Sequence, residues 1–231
     1  MLTSWDKLPE YIRNPEVKPY YDVLYKKRVS LWIKRLFDFF ASITLLILLA
    51  LPMLIIALLI KKDSEGPVFY RQERVTKDGK VFRIHKFRTM VANAERIGTA
   101  VTVENDRRIT RVGAKLRRLR LDELPQLLDV LKGDMSFVGT RPEAVMYVKH
   151  YQPAFYATLL LPAGITSEAS IRYKDEDKLL NVTEDADRVY IEQILPEKMK
   201  WNLNELQKYH LFREIGTMFR TIAAVFGKNY C

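Results

Sequence analysis

Phe39–Ile60, a run of twenty-two residues, carries no charge, and it constrains the chain more than any other stretch. As one straight helix rising ~1.5 Å per residue it would reach roughly 33 Å, enough to cross a bilayer. Two features oppose a simple crossing. Pro52 lies inside the run; its ring clashes with the carbonyl four residues back and it has no N–H, so it breaks or kinks a helix. Both flanks are also basic: Lys26, Lys27, Arg28, Lys34 and Arg35 come before, Lys61 and Lys62 after. Lysine and arginine hold a flank on the cytoplasmic side, so two basic flanks favour a helix–break–helix that enters and leaves by one face. The first limb, Phe39–Leu51, would measure ~20 Å, too short to cross. The alternative is an ordinary bitopic helix. Lys34 and Asp38, four residues apart, are placed to pair at the membrane boundary.

The second organising stretch is Leu119–Arg141. Leu124, Leu127, Leu128 and Leu131 recur at helical spacing, which predicts a short helix. Asp122 is the expected N-cap and Glu123 the first helical residue. Pro125 falls in the first turn, where a missing N–H does little harm. Gly133 ends the helix, and Lys132 suits its negative end. Two adjacent carboxylates thus stand at a helix N-terminus, just after Arg117, Arg118 and Arg120. On the plain reading Asp122 caps and Glu123 answers the helix dipole. On the chemical reading the amides and arginines attract phosphate, and a carboxylate there is a nucleophile or holds Mg²⁺. Neighbouring side chains on a helix point in different directions, so the pair is free to divide these jobs.

Other stretches fill in the frame. Val68–Tyr70 and Val81–Phe87 flank Lys77-Asp78-Gly79-Lys80, a hairpin signal. Lys86 and Arg88 alternate with Phe87, so both fit one strand face, either solvated or turned to a phosphate. Val91–Glu104 reads as a loop or short helix. Arg107–Arg120 holds six arginines and one lysine, with Val112, Leu116 and Leu119 as an apolar stripe. Without interleaved aromatics, and bounded by the two carboxylates, it is a poor nucleic-acid patch. Leu203–Phe226 predicts a helix with an apolar stripe, packed on the core or lying in a membrane interface. Met1–Arg28 is an aromatic extension whose prolines exclude one long helix; it suits either an interface or the domain surface.

The formal net charge of +10 favours anionic partners. The lone cysteine, Cys231, permits no disulfide within the chain and fits a reducing compartment. His85, His150 and His210 are isolated, without metal-ligand spacing. No cleavable signal peptide is discernible.

Leu121–Leu127, then Leu131–Gly139 and Arg141-Pro142, together with Lys86-Phe87-Arg88-Thr89-Met90, resemble the bacterial sugar transferase family, the monotopic polyprenyl-phosphate phosphoglycosyl transferases. The likeness runs from about Lys34 to Phe226. It implies an α/β fold, mostly helical with a small sheet: an extension over residues 1–30, a re-entrant membrane helix over 31–62 and a cytoplasmic catalytic domain over 63–231. It implies transfer of a sugar-1-phosphate from a UDP-sugar to a polyprenyl phosphate such as undecaprenyl phosphate, the first membrane step of surface glycan assembly. Asp122 would be the nucleophile and Glu123 the Mg²⁺ ligand. Lys86, Arg88, Arg117, Arg141 and Arg172 would bind phosphate, and Lys34, Asp38 and Pro52 would shape the hairpin. The location implied is the bacterial inner membrane with the site facing the cytoplasm; lipid is a partner, nucleic acid is not, and a homo-oligomer is compatible. The chain departs from the family pattern at Leu51, where serine is usual before the proline, and at Thr140, where proline is usual before Arg141. Ser167–Asp177 also differs and is the stretch expected to set sugar choice. Two other classes compete: a membrane-anchored nucleic-acid binder, which needs no Asp122, and a scaffold, which tolerates change at both carboxylates. An aspartyl-phosphate phosphatase is a weaker third, because Leu124 stands where its Asp-x-Asp pattern needs aspartate.

Overall fold

The computed structural model describes residues 2–94, 106–173 and 186–225. Most of Val91–Glu104, Lys174–Asp177 in the stretch expected to set sugar choice, Phe226 and Cys231 lie outside the described residues. Helix α1 (Lys18–Lys26) leads into α2 (Arg28–Leu48) and α3 (Ala50–Asp63). An antiparallel hairpin follows, β1 (Phe69–Val75) and β2 (Val81–Phe87), in the register Phe69 to Phe87 and Val75 to Val81. Asp78 and Gly79 take positive φ in its turn, as the Asp-Gly signal requires. Then come α4 (Arg111–Arg118), a 3₁₀ segment (Leu121–Gln126) and α5 (Leu127–Lys132). Strand β3 (Met135–Val138) pairs in parallel with β4 (Ala163–Thr166), with α6 (Val145–Val148) and a 3₁₀ stretch (Pro153–Leu160) between them. The last described elements are α7 (Glu168–Arg172), α8 (Ala186–Val189), a π turn, α9 (Leu195–Gln207) and α10 (Leu211–Val225). The described residues are mostly helical, and their strands form two separate two-stranded sheets.

The extension packs on the domain. Leu8, Ile12, Val17, Tyr21 and Leu24 are buried in one cluster with Tyr147, Phe155, Leu195 and Met199. A second cluster joins Phe82 and Ile84 of β2 to Leu127 and Val130 of α5 and to β3. A third joins Ile56 and Ile60 of α3 to Phe87 and Leu116.

No single helix among the described residues is long and apolar enough to cross a membrane; α2 and α3 pass that test only as a pair, bent by 62°. The break falls at Leu49, three residues before Pro52, which sits in the first turn of α3. Proline clashes with the carbonyl four residues back, here that of Leu48, so the first limb ends there rather than at Leu51. The pair is apolar outward. Leu36, Phe40, Ile47, Leu48, Leu51, Leu54 and Leu58 are exposed, whereas Lys34, Asp38 and Ser42 are buried against the domain.

The expected Lys34–Asp38 pair is replaced by longer-range contacts. Lys34 Nζ lies 2.7 Å from Glu214 of α10 and donates to the Val138 carbonyl at 2.9 Å. Asp38 accepts from the Phe137 N–H at 3.4 Å. The predicted helix over Leu203–Phe226 is two helices: Tyr209, buried between them, joins the first core cluster. Phe212, Phe219 and Ile222 of α10 are exposed, so part of the predicted stripe does not reach the core.

Candidate active site

The site begins with a backbone event. Arg120 takes left-handed φ, turning the chain sharply after α4, and residues 121–126 wind as 3₁₀ rather than α-helix. Asp122 is therefore inside a tight helical turn and not an N-cap. The α-helical part starts only at Leu127 and ends, as the sequence implies, at Gly133 with φ 91°. Arg35 of α2 donates to the carbonyls of Val130 (2.6 Å) and Leu131 (2.8 Å), capping the C-terminal end of α5.

Three elements close on the 3₁₀ segment. Strand β2 is held to α5 by buried His85: its N–H donates to Asp129 at 2.8 Å and its Nδ1 lies 2.6 Å from the same carboxylate. The next residue, Lys86, reaches Glu123 Oε1 at 3.3 Å. The turn after β3 supplies Arg141, whose guanidinium donates to Glu123 Oε1 and, at 3.3 Å, to the Ile165 carbonyl. That turn is pinned without the usual proline. The Gly139 N–H donates to Thr166 (2.9 Å) and the Gly164 N–H to Thr140 (2.8 Å). A Cβ on Gly164 would stand 2.2 Å from the Gly139 nitrogen, so this approach needs glycine. Arg120 lies 3.8 Å from Glu123 Oε1.

The two carboxylates have opposite surroundings. Burial alone would raise the Glu123 carboxyl, but Arg141, Lys86 and Arg120 outweigh it and hold the group far below the usual carboxylate range. No hydrogen bond or ion pair of the Asp122 side chain is found among the described residues. Burial pushes its carboxyl up, with Glu123 adding to the effect and Lys86, Arg117 and Arg141 opposing it. Burial lowers the Lys86 ammonium, against the attraction of Glu123. The arrangement is a fixed anion neutralised by three cations beside a carboxylate that has no partner among the described residues.

The other residues expected at the site divide. Arg117 stands close enough to influence Asp122. Arg88 is buried and turned away: it donates to the carbonyls of Glu65 (2.6 Å) and Ser64 (2.7 Å), fastening the chain after α3. Strand β2 ends at Phe87, so the alternation that placed Arg88 beside Lys86 does not continue. Arg172 belongs to another cluster, 3.3 Å from Glu168 and stacked 3.9 Å over Trp201. Arg120 was legible only as part of a basic run. Gln126 lies within the Leu121–Leu127 motif without a role read for it, and the His85–Asp129 pair has no signal in the sequence, since its two residues are 44 positions apart.

Among the described residues, no group of three or more His, Cys, Asp or Glu side chains is placed to hold a metal ion.

Residues 27–228 match the family described as bacterial sugar transferase. The chain is 35% identical over 197 residues to the UDP-N-acetylgalactosamine-undecaprenyl-phosphate N-acetylgalactosaminephosphotransferase of Aeromonas hydrophila, covering 84% of this chain and 44% of that protein. It is 34% identical over 195 residues to the UDP-glucose:undecaprenyl-phosphate glucose-1-phosphate transferase of Caulobacter vibrioides, covering 83% and 69%. The protein of the same name from Escherichia coli (strain K12) is 33% identical over 218 residues, covering 92% and 44%. The chain thus spans less than half the length of two of these three relatives. The matched region contains α2, α3, both sheets and every residue that meets Glu123, and the chain belongs to the bacterial sugar transferase family.

Proposed function

We propose that the protein transfers a sugar-1-phosphate from a UDP-sugar to undecaprenyl phosphate, releasing UMP and forming a polyprenyl-diphospho-sugar for surface glycan assembly. The observation that carries this reading is the asymmetry of the pair: Glu123 is gripped by cations, while Asp122, partly buried near the same charges, has no hydrogen-bond or ion-pair partner among the described residues. An Asp122 oxygen attacks the sugar-bearing phosphorus. The bond from that phosphorus to the bridging oxygen breaks, and UMP leaves with the electron pair. A polyprenyl phosphate oxygen then attacks the same phosphorus, the bond to Asp122 breaks, and the carboxylate is restored. Lys86 and Arg141 attract the phosphate oxygens, and Arg117 adds positive charge. Glu123 with substrate phosphate oxygens would hold Mg²⁺, which when bound offsets the negative charge of the diphosphate.

We place the protein at the cytoplasmic face of the inner membrane, with α2 and α3 as a re-entrant hairpin. The outward apolar faces of both helices, the bend and the basic flanks support this. Such a site meets a soluble nucleotide-sugar from one side and a lipid phosphate from the other. The test is UMP release from a panel of UDP-sugars with undecaprenyl phosphate and Mg²⁺. Release that requires the lipid for sustained turnover is expected; no release from any UDP-sugar refutes the reading. Duplex DNA binding that survives loss of Asp122 would point to the nucleic-acid alternative.

A further inference from the structure

Gln126 closes the 3₁₀ segment that carries the two carboxylates, and it is only 1% exposed. Neither its Oε1 nor its Nε2 has a hydrogen-bond partner among the described residues. Buried polar groups are nearly always satisfied, and an orphaned primary amide is costly enough to need a reason. The amide lines a small cavity with Arg74, Ile84, Lys86, Arg141 and Pro142. The space is about 20 Å³, enough for one oxygen-sized group and far too little for a nucleobase or a sugar ring. Three of the lining side chains are cations, and two of these, Lys86 and Arg141, also meet Glu123. A niche of this size and charge selects an anionic oxygen.

We propose that Gln126 is a substrate-binding residue whose Nε2–H donates to a non-bridging oxygen of the phosphate attracted by Lys86 and Arg141. The inference rests on the transfer reading above and adds to it a neutral donor at the inner end of the phosphate site. An amide suits the place. It binds a phosphate oxygen without adding a fourth cation around Glu123, and it cannot form an ion pair that would occupy Asp122.

Gln126→Leu tests this, being apolar and close in volume. A merely structural amide predicts a variant as stable as wild type or more so, with unchanged kcat/KM, because two unsatisfied atoms are removed. A donor to phosphate predicts the same or higher Tm but a kcat/KM for the UDP-sugar lower by ~10- to 100-fold, the size of one hydrogen bond to a charged group. Unchanged kcat/KM in the folded variant overturns the proposal. If Gln126→Leu does not fold, Gln126→Met is measured in the same way and judged by the same result. A parallel arm titrates inorganic pyrophosphate into wild type and variant by calorimetry. Weaker binding by the variant is expected, and equal affinity overturns the proposal. If wild type releases UMP from no UDP-sugar, the transfer reading fails, and the pyrophosphate arm alone decides the role of Gln126.

Discussion

Asp122 and Glu123 are neighbours in the chain, yet neutralising each should break a different property. Asp122 has no described partner, and burial already disfavours its charge. Asp122→Asn keeps the shape, removes that charge and relieves repulsion from Glu123. Stability should therefore change by less than about 0.5 kcal/mol, or rise. Glu123 is the common counter-ion of Arg141, Lys86 and Arg120. Removing one partner of a buried pair costs about 3–5 kcal/mol, and the amide oxygen of glutamine retains a hydrogen bond, so Glu123→Gln should cost about 2–3 kcal/mol. At about 2–4 °C per kcal/mol for a chain of this size, Tm should fall by roughly 4–12 °C. The assay pairs thermal unfolding with incubation in labelled UDP-sugar and Mg²⁺ without lipid acceptor. Wild type should retain sugar-phosphate label and release UMP. Asp122→Asn should do neither while unfolding at the wild-type temperature. Glu123→Gln should label weakly, partly restored by higher Mg²⁺. Label on another residue of Asp122→Asn, or a Tm loss there as large as in Glu123→Gln, would refute the division of roles.

Cysteines placed at exposed Lys26 and Lys62, in a chain without Cys231, should both resist an impermeant thiol reagent added outside cells; labelling of one alone establishes a bitopic span. Lys34→Met strips the largely buried Glu214 carboxylate of its counter-charge and should cost about 2–4 kcal/mol, with Glu214→Leu in addition recovering most of it. Failure of the double variant to regain Tm would show that the pair is not what couples α2 to α10. Burial, with Glu168 and Glu214 adding to it, pushes the Glu205 carboxyl up to about 7. Its folded pKa thus exceeds its unfolded value of ~4.3, so its contribution to stability is full below that value and is lost as pH rises to about 7. In Glu205→Gln the decline of Tm between pH 5 and pH 8 should be shallower than in wild type, and an equal slope excludes the assignment.

Local chemistry was sufficient for several features. The uncharged run with its proline, the Asp-Gly turn, the left-handed Gly133 and the family motifs are short-range patterns, each set by residues a few positions apart. What lay beyond reach depends on contacts between distant parts of the chain. Lys34 and Asp38 have the spacing of an ion pair, but folding brings Glu214 and the Phe137 N–H to them, and a buried charge takes the partner the tertiary structure offers. Arg88 has the alternation of a strand face, but β2 ends one residue earlier and its guanidinium satisfies carbonyls at the end of α3. Asp122 has the residue type of a cap, yet the left-handed turn at Arg120 puts it inside a 3₁₀ segment. The adjacency of Asp122 and Glu123 was determined by sequence alone. That Lys86 and Arg141 join Arg120 on Glu123, and that Asp122 has no partner among the described residues, was decided by the packing of β2 and the β3 turn, because electrostatic environment is a property of space and not of chain order.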